Sequence, residues 1–164
     1  IHPGKLPDNR GRHPISWSFL TNCKKFGLSI HEINEEIDRG NLLAQTTITR
    51  DLLDTQLEVE KKIEIELEKG LIKKAITNYF KGKKSEIGLG KYYESLVGKY
   101  KNLNIEEFDS KFVFNLFKSQ FKYGGVIIKN KTYTECVFYN PNFINFYKNY
   151  DIYSCLDGEK VGLK

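Results

Sequence analysis

Residues 27–48 read GLSIHEINEEIDRGNLLAQTTI, and this segment is the centre of the predicted architecture. Gly27–Ile33 alternates in polarity and favours extended backbone, which predicts a strand. Asn34–Gly40 is polar and predicts a loop, and Leu42–Ile48 predicts a second strand. The segment therefore places Asp38 in a loop between two strands.

A second informative block opens the chain, where residues 1–11 read IHPGKLPDNRG. Two prolines and two glycines punctuate it, so residues 1–12 are predicted to form a loop. A helix is predicted next, over residues 14–21, because Pro14 suits a first helical turn. His2 stands at the beginning of this loop.

A long helix is predicted after the second strand, capped by Thr49 or Asp51 and ending near Lys81-Gly82. Gly70 interrupts it, and because Gly costs ~1 kcal/mol relative to Ala inside a helix, a bend or close packing is expected there. Apolar residues at every fourth position form one buried stripe. They are Val59, Ile63, Leu67, Leu71 and Ala75.

The second half of the chain predicts loops, one helix and two hairpins. Residues 82–104 are rich in loops, with a short turn expected at Tyr92–Val97. Asp109 can cap a helix over residues 110–120, which Gly124-Gly125 ends. The hairpins join Val126–Lys129 to Thr132–Phe138 across Asn130-Lys131, and Tyr150–Cys155 to Glu159–Leu163 across Asp157-Gly158.

The composition of the 164 residues is that of a globular protein with a small basic excess, at net charge +5. A basic surface attracts nucleic acid, membrane faces or phosphorylated small molecules. The excess is spread along the chain, and its densest cluster, residues 81–84, fits a solvated loop better than a phosphate site. No apolar run is long enough for a membrane span, so no membrane partner is expected.

The three cysteines show no paired spacing and indicate free thiols rather than a disulfide plus one leftover thiol. Together with the lack of a visible signal peptide, they predict a cytoplasmic protein. No zinc-ligand spacing occurs, so no metal is expected. Because the sequence contains no Met, even at residue 1, we expect residues upstream of Ile1.

The two blocks together resemble the catalytic half of the folate-dependent formyltransferases. The first string is His-Pro-Gly-x-Leu-Pro-x-x-Arg-Gly, followed by a helix containing a Trp. The second is Gly-x-Ser-Ile-His, with Asp seven residues after that His and Gly two residues later. The resemblance covers about residues 1–80, is strong in 1–48, and rests on layout beyond residue 80.

The resemblance implies that His2 and Asp38 are the catalytic pair, with 10-formyltetrahydrofolate as co-substrate. In the family an amine attacks the formyl carbon, the His and an Asn stabilise the oxyanion, and the Asp accepts the amine proton. The family Asn would lie one residue before Ile1, outside this sequence. The activity of the chain as given is therefore an open question.

The resemblance also assigns roles around this pair. Ser29 and His31 are expected to support the active site, although an alternating strand alone would suggest a packed histidine. Backbone groups of the loop between the two strands are expected to bind the pteridine ring of the folate. That folate loop consists of Asn34, Glu35, Glu36, Ile37 and Asp38.

An acceptor loop is expected to face the amine substrate, and it contains Leu6, Pro7, Arg10 and Gly11. Arg10 either contacts an acidic group of the acceptor or forms a structural salt bridge. The family relationship implies an α/β fold, in which the C-terminal part of a Rossmann-like formyltransferase domain precedes a small helix-plus-β-hairpin region. Residues 1–82 would then be the catalytic half, and residues 83–164 the acceptor-binding or dimerisation region.

The layout after residue 82 looks most like that of the sugar-nucleotide N-formyltransferases, which implies a nucleotide-linked amino sugar as acceptor and a homodimer. The alternatives are initiator-tRNA formylation, which would bring nucleic acid as a partner, purine synthesis, hydrolysis of formyl-folate, and an inactive formyltransferase-like fragment. The Phe- and Tyr-rich residues 108–155 form either a compact aromatic core, a subunit contact or a stacking platform for a nucleobase.

Overall fold

A computed structural model describes residues 1–120 and 123–164 of the chain. It is a mixed α/β structure that divides into two compact units. The first unit comprises Ile1–Ser18 and Cys23–Ser95, and the second comprises Phe19–Asn22 and Leu96–Lys164. The functional division after residue 82 stays a prediction.

The first unit is built on an antiparallel pair of strands whose apolar side chains are buried. Its core includes Phe26 and Leu28 of one strand and Ala44 and Ile48 of the other. The elements in chain order are β1 (Arg10–Gly11), α1 (Pro14–Leu20), β2 (Lys25–His31), β3 (Leu42–Thr49), α2 (Gln56–Glu66), α3 (Ile72–Phe80) and β4 (Tyr92–Tyr93).

Strands β2 and β3 confirm the two strands predicted from residues 27–48, but β2 ends at His31 rather than Ile33. The register of the pair shifts between Ile30 and His31. Ile33 then points away from the sheet and is 95% exposed. In the sequence, the alternating pattern continues for two residues beyond His31, the last residue of the ladder.

Residues 1–12 were predicted as a loop, and the structure corrects this at one point. Arg10–Gly11 pairs in parallel with Tyr92–Tyr93, where a turn was predicted. A strand of two residues carries no periodicity, and its partner lies about eighty positions away in sequence. Nothing local in the sequence therefore signals this pairing.

The long helix begins later than predicted, because Thr55 caps it instead of Thr49 or Asp51. Thr49 is the last residue of β3. Thr55 and Glu58 form a capping box, in which the Glu58 carboxylate accepts the Thr55 backbone N–H at 2.9 Å. The Thr-x-x-Glu spacing is present in the sequence and could have identified this start.

Of the two alternatives expected at Gly70, a bend or close packing, the structure confirms the bend. Gly70 has a φ of 98°, and a short π-helical segment, Leu67–Leu71, separates α2 from α3 there. Val59, Leu71 and Ala75 of the predicted stripe are buried, as expected. The other two stripe residues, which lie before the bend, are only half-buried.

The second unit contains α4 and a small set of short strands. Its elements are a 3₁₀ turn (Ile105–Glu107), α4 (Ser110–Gln120), β5 (Val126–Ile128), β6 (Lys131–Tyr133), β7 (Cys136–Phe138), a 3₁₀ segment (Pro141–Tyr147), β8 (Asp151–Ser154) and β9 (Lys160–Leu163). The helix predicted over residues 110–120 and the last hairpin, now β8–β9, are both confirmed.

The first predicted hairpin is only partly correct. Strand β5 pairs with β6 around Lys129 and Asn130, both with positive φ, so the turn lies one residue earlier than expected. The strand predicted from Thr132 to Phe138 divides, because β7 leaves β6 and pairs with β9. Of the segment between α4 and this hairpin, residues 121 and 122 lie outside the described part.

Part of the aromatic region forms a packed core in this unit. The ring centroids of Phe114 and Phe138 lie 4.6 Å apart, and those of Phe108 and Phe112 lie 4.7 Å apart. Phe143 and Phe146 instead expose 62% and 59% of their surface. Among the described residues, no helix combines the length and apolar character needed to cross a membrane.

Candidate active site

His2 is held against strand β2 by backbone hydrogen bonds. The His2 N–H donates to the Ser29 carbonyl and the Ser29 N–H donates to the His2 carbonyl, both at 2.8 Å. The imidazole is only 5% exposed. The first loop of the chain therefore delivers His2 to the same strand that carries Ser29 and His31.

The loop after β2 is closed at its base by Glu32 and Asn41. The Glu32 N–H donates to the Asn41 carbonyl at 2.9 Å, and the Asn41 side-chain amide donates to the Glu32 carboxylate at 2.7 Å. This amide, together with Lys84, lowers the pKa of Glu32. Asp38 follows in the left-handed region, with a φ of 55°, and is turned back toward the strand.

The structure brings Asp38, His2 and His31 into one cluster. Asp38 Oδ1 lies 3.5 Å from His2 Nδ1 and 3.6 Å from His31 Nε2. Asp38 Oδ2 accepts the backbone N–H of Gly11 at 2.8 Å. The carboxylate is thus fixed by the acceptor loop on one side and faces two imidazoles on the other.

The hydrogen bonds of both imidazoles fix which ring nitrogen carries a proton. His2 Nε2 lies 2.8 Å from the Asn9 carbonyl, and His31 Nδ1 lies 2.7 Å from the Glu32 carbonyl. A carbonyl only accepts, so both of these nitrogens donate. The other nitrogen of each ring, His2 Nδ1 and His31 Nε2, faces Asp38 Oδ1.

Burial lowers the pKa of His2, although the bond to Asn9 and the nearby Asp38 charge oppose this effect. The neutral imidazole is therefore the favoured form in the folded chain at neutral pH. The unfolded chain takes up this proton first, near the ordinary pKa of 6.5. Stability contributed by His2 is consequently lost as the pH falls below that value.

We expect the melting temperature to fall more steeply between about pH 7 and pH 5 in the wild type than in the His2→Gln variant. The reason is that Gln has no proton to gain in the unfolded state. Thermal unfolding followed by circular dichroism over this range measures the difference. Parallel pH profiles for the two proteins would contradict this expectation, because they would show that His2 has the same pKa in the folded and the unfolded chain.

Ser29 is a centre of hydrogen bonding beneath the first loop. Its hydroxyl donates to the Gly4 carbonyl at 2.6 Å and accepts from the Leu6 N–H at 3.3 Å. The Gln45 amide donates to Ser29 Oγ and to the Leu6 carbonyl, both at 2.9 Å. Sequence analysis missed Gln45, whose only signal is the β2–β3 register that pairs it with Ser29.

The remaining folate-loop residues lie exposed on the outer part of the loop. The Glu36 N–H donates to Asn34 Oδ1 at 3.2 Å, and Glu36 pairs with Arg39 at 2.9 Å. Within the described chain, the backbone groups of Glu35 and Ile37 make no hydrogen bonds. Asn34 and Glu36 also line a cavity of about 290 Å³ that does not include Asp38.

The acceptor loop contains both buried and exposed residues. Leu6 is 4% exposed and Pro7 is exposed. Gly11 contributes the N–H that binds Asp38. For Arg10 the structural salt bridge is not formed within the described chain, and the side-chain nitrogens Nε and Nη1 are enclosed without a hydrogen-bond acceptor.

Gly40 closes the loop where no side chain can be accommodated. A Cβ built there would lie 1.9 Å from the Glu32 carbonyl oxygen. We therefore expect Gly40→Ala to destabilise the fold by about 1–3 kcal/mol, because backbone must move to relieve the clash. Urea denaturation measures the change.

The matched control for this substitution is Gly88→Ala, since a Cβ at Gly88 would contact nothing within 4 Å. The control is expected to unfold at the urea concentration of the wild type. Equal midpoints for the two variants would contradict the close approach of Gly40 to Glu32.

Comparison with known proteins identifies related sequences. Residues 1–76 match the model of a family described as formyl transferase. The methionyl-tRNA formyltransferase of Finegoldia magna is 29% identical over 167 residues, an alignment that covers 100% of this chain and 53% of the relative. The chain therefore spans about half the length of this relative.

Solved structures share the fold at lower identity. A sugar 3N-formyl transferase, WlaRD, solved in the presence of dTDP and 5-N-formyl-THF, superposes with a TM-score of 0.74 at 22% identity. That alignment covers 99% of this chain and 63% of WlaRD. HypX from Aquifex aeolicus in complex with tetrahydrofolic acid superposes with a TM-score of 0.69 at 16% identity, over 99% of this chain and 30% of HypX.

Proposed function

We propose that the protein transfers a formyl group from 10-formyltetrahydrofolate to an amine. The proposal starts from the match of residues 1–76 to the formyl transferase family model. The observation that carries the proposal is the position of the Asp38 carboxylate. Its Oδ1 lies 3.5 Å from His2 and 3.6 Å from His31. Such a carboxylate can accept a proton and share it with a neighbouring imidazole.

Asp38 is assigned as the general base that takes the proton of the attacking amine. The Gly11 N–H at 2.8 Å holds one carboxylate oxygen and leaves the other facing the imidazoles. A proton that reaches Oδ1 can form a hydrogen bond to His2 Nδ1 or to His31 Nε2, the two imidazole nitrogens that face this oxygen. This proton is the one that the folate nitrogen must gain when it loses the formyl group, so protons balance within the site.

His2 is assigned to the formyl oxygen, which gains negative charge as the amine attacks. Its Nε2–H is committed to Asn9 at 2.8 Å, so the nitrogen that can serve the substrate is Nδ1. Nδ1 donates only when the ring is positively charged. Burial disfavours that form in the resting chain, so the charge arises when the proton that Asp38 takes from the amine passes to Nδ1, a transfer that the Asp38 charge favours. The pair therefore acts as a unit in which each group depends on the charge of the other.

The folate co-substrate supplies the activated formyl carbon when it is bound. A pteridine ring has an edge of donors and acceptors that suits unpaired backbone groups, and the described chain leaves those of Glu35 and Ile37 without partners. We assign the loop from Asn34 to Asp38 to this ring. Recognition through backbone groups would not depend on which side chains this loop carries.

We assign the acceptor as the amino group of a nucleotide-linked amino sugar. The support is the likeness to WlaRD, which extends over 99% of this chain and hence includes the residues after 82. A second candidate is initiator tRNA, which the alignment of this whole chain with 53% of a methionyl-tRNA formyltransferase favours. Both acceptors present an amine to the same formyl carbon.

The full chain, supplied with 10-formyltetrahydrofolate, tests these alternatives with two acceptors. We expect a dTDP-linked 3-amino sugar to be formylated and methionyl-tRNA to remain unmodified, with the product followed by mass spectrometry. Formylation of the tRNA alone would make initiator tRNA the acceptor in place of the nucleotide-linked amino sugar. Release of formate with neither acceptor modified would replace transfer by hydrolysis.

We also assign a cytoplasmic homodimer. The three cysteines are free thiols, as in proteins of a reducing compartment. In the second unit, Phe143, Ile144 and Phe146 are each more than half exposed, and burying them against a second copy would remove this apolar surface from water. Light scattering on the full chain tests the dimer, and a monomeric mass would refute it.

A further inference from the structure

The guanidinium of Arg10 is left without an acceptor by the described chain. Nε and Nη1 are enclosed and make no hydrogen bond. The ion pairs formed by residues 1–120 and 123–164 do not include this side chain. A buried donor without a partner is costly, and native proteins retain one where a ligand or water completes it. Arg10 as a whole is only half-buried, so a ligand can approach the part of the residue that is not enclosed.

The backbone that carries Arg10 is fixed on both sides. The Arg10 N–H donates to the Lys91 carbonyl at 3.0 Å, and the Arg12 N–H donates to the Tyr93 carbonyl at 3.2 Å. Within this pairing Arg10 lies directly opposite Tyr92. The cation is therefore presented from a rigid position next to an aromatic residue.

Tyr92 is an exposed ring in a defined position. It is 45% exposed, and among the described residues no other ring or cation contacts it. A Cβ at Gly11, which has a φ of 97°, would lie 3.0 Å from Tyr92 Cε2, so the ring lies directly on the Gly11 backbone. The neighbouring Tyr93 differs, because Trp17 stacks on it at 4.8 Å.

The charge around this pair favours a phosphate ligand. Arg12 and Lys91, which flank these two strands, are exposed cations, and neither forms an ion pair in the described chain. The nearest carboxylates in sequence, Asp8 and Glu94, are exposed and do not pair with these cations. A fork of guanidinium donors matches two phosphate oxygens, and an exposed ring matches a nucleobase.

We propose that Arg10 and Tyr92 bind the nucleoside diphosphate portion of the acceptor, with Arg10 on the phosphate and Tyr92 against the base. This inference rests on the proposed function, since it names the part of the acceptor that lies beside the reacting amine. It places the acceptor next to Gly11, whose N–H holds Asp38. Arg10, which would bind the substrate, and Gly11, which holds the general base Asp38, are then neighbours in one short strand.

Isothermal titration of the full chain with dTDP, inorganic pyrophosphate and tetrahydrofolate tests the proposal. Arg10→Gln is expected to weaken dTDP and pyrophosphate about 10- to 100-fold and to leave tetrahydrofolate unchanged. Tyr92→Leu is expected to weaken dTDP about 10-fold while leaving pyrophosphate unchanged. Lys73→Gln, which removes one exposed charge from α3, is the matched control and should change nothing.

Unchanged dTDP affinity in Arg10→Gln, or a wild type that does not bind dTDP, would overturn the proposal. Weakened tetrahydrofolate with unchanged dTDP would overturn it as well, because the guanidinium would then serve the carboxylates of the folate. If Arg10→Gln fails to fold, Arg10→Lys is titrated instead, and we expect it to weaken dTDP because Lys lacks the fork of donors. Formyl transfer to a dTDP-linked amino sugar with a KM independent of Arg10 would defeat this inference alone and leave the proposed function intact.

Discussion

Asp38→Asn is expected to lower kcat/KM for formyl transfer by about 10²–10⁴-fold, the usual contribution of a general base. Asn cannot accept the amine proton at the position of Oδ1. Its amide oxygen can still accept the Gly11 N–H, and Asn tolerates the positive φ of 55° found at this position. The loss should therefore appear in turnover and not in the melting temperature.

Asp8→Asn is the control for Asp38→Asn, because it removes the same charge from an exposed position in the first loop. We expect its kcat/KM to match that of the wild type. Near-normal turnover in Asp38→Asn, measured with 10-formyltetrahydrofolate and the formylated acceptor as the readout, would remove Asp38 from the reaction.

His2→Gln is expected to lower kcat by about 10²–10³-fold, as the loss of one donor to a developing oxyanion does. The KM for the folate should change little, since the folate loop does not include His2. Gln can still donate to the Asn9 carbonyl, which His2 Nε2 reaches at 2.8 Å, so the loop is retained.

His13→Asn is the corresponding control, as it removes the remaining histidine of the sequence without touching the cluster. It also suits the positive φ of 59° at that position. Steady-state kinetics measure kcat and the KM for the folate separately. A raised KM with unchanged kcat in His2→Gln would make His2 a binding residue instead of a group that acts on the formyl oxygen.

Features with a local signal could be predicted from the sequence. The strands, the loop between them and the Gly70 bend follow from polarity patterns and from Gly propensity. His2 and Asp38 were implied by the family resemblance that two short strings carry, and the structure brings their side chains to 3.5 Å. The capping box at Thr55 was equally visible, yet the earlier Thr49 competed with it because both precede a helical pattern.

Features that depend on distant pairing could not be predicted. Gln45 reaches the first loop only through the register that places it opposite Ser29. Tyr92 faces Arg10 through a ladder of two residues, too short to leave a pattern. The lack of a salt bridge between Arg10 and any carboxylate of residues 1–120 and 123–164 is likewise a property of the folded chain, and the sequence alone left that salt bridge equally open.

The claim that His2 and Asp38 act together on one carbon atom is tested most directly by the kcat/KM of the His2→Gln, Asp38→Asn double variant. Because each group depends on the charge of the other across 3.5 Å, we predict that the double variant is no more than about threefold worse than the poorer single variant. A loss equal to the product of the two single losses would mean that the residues act independently and would contradict the claim.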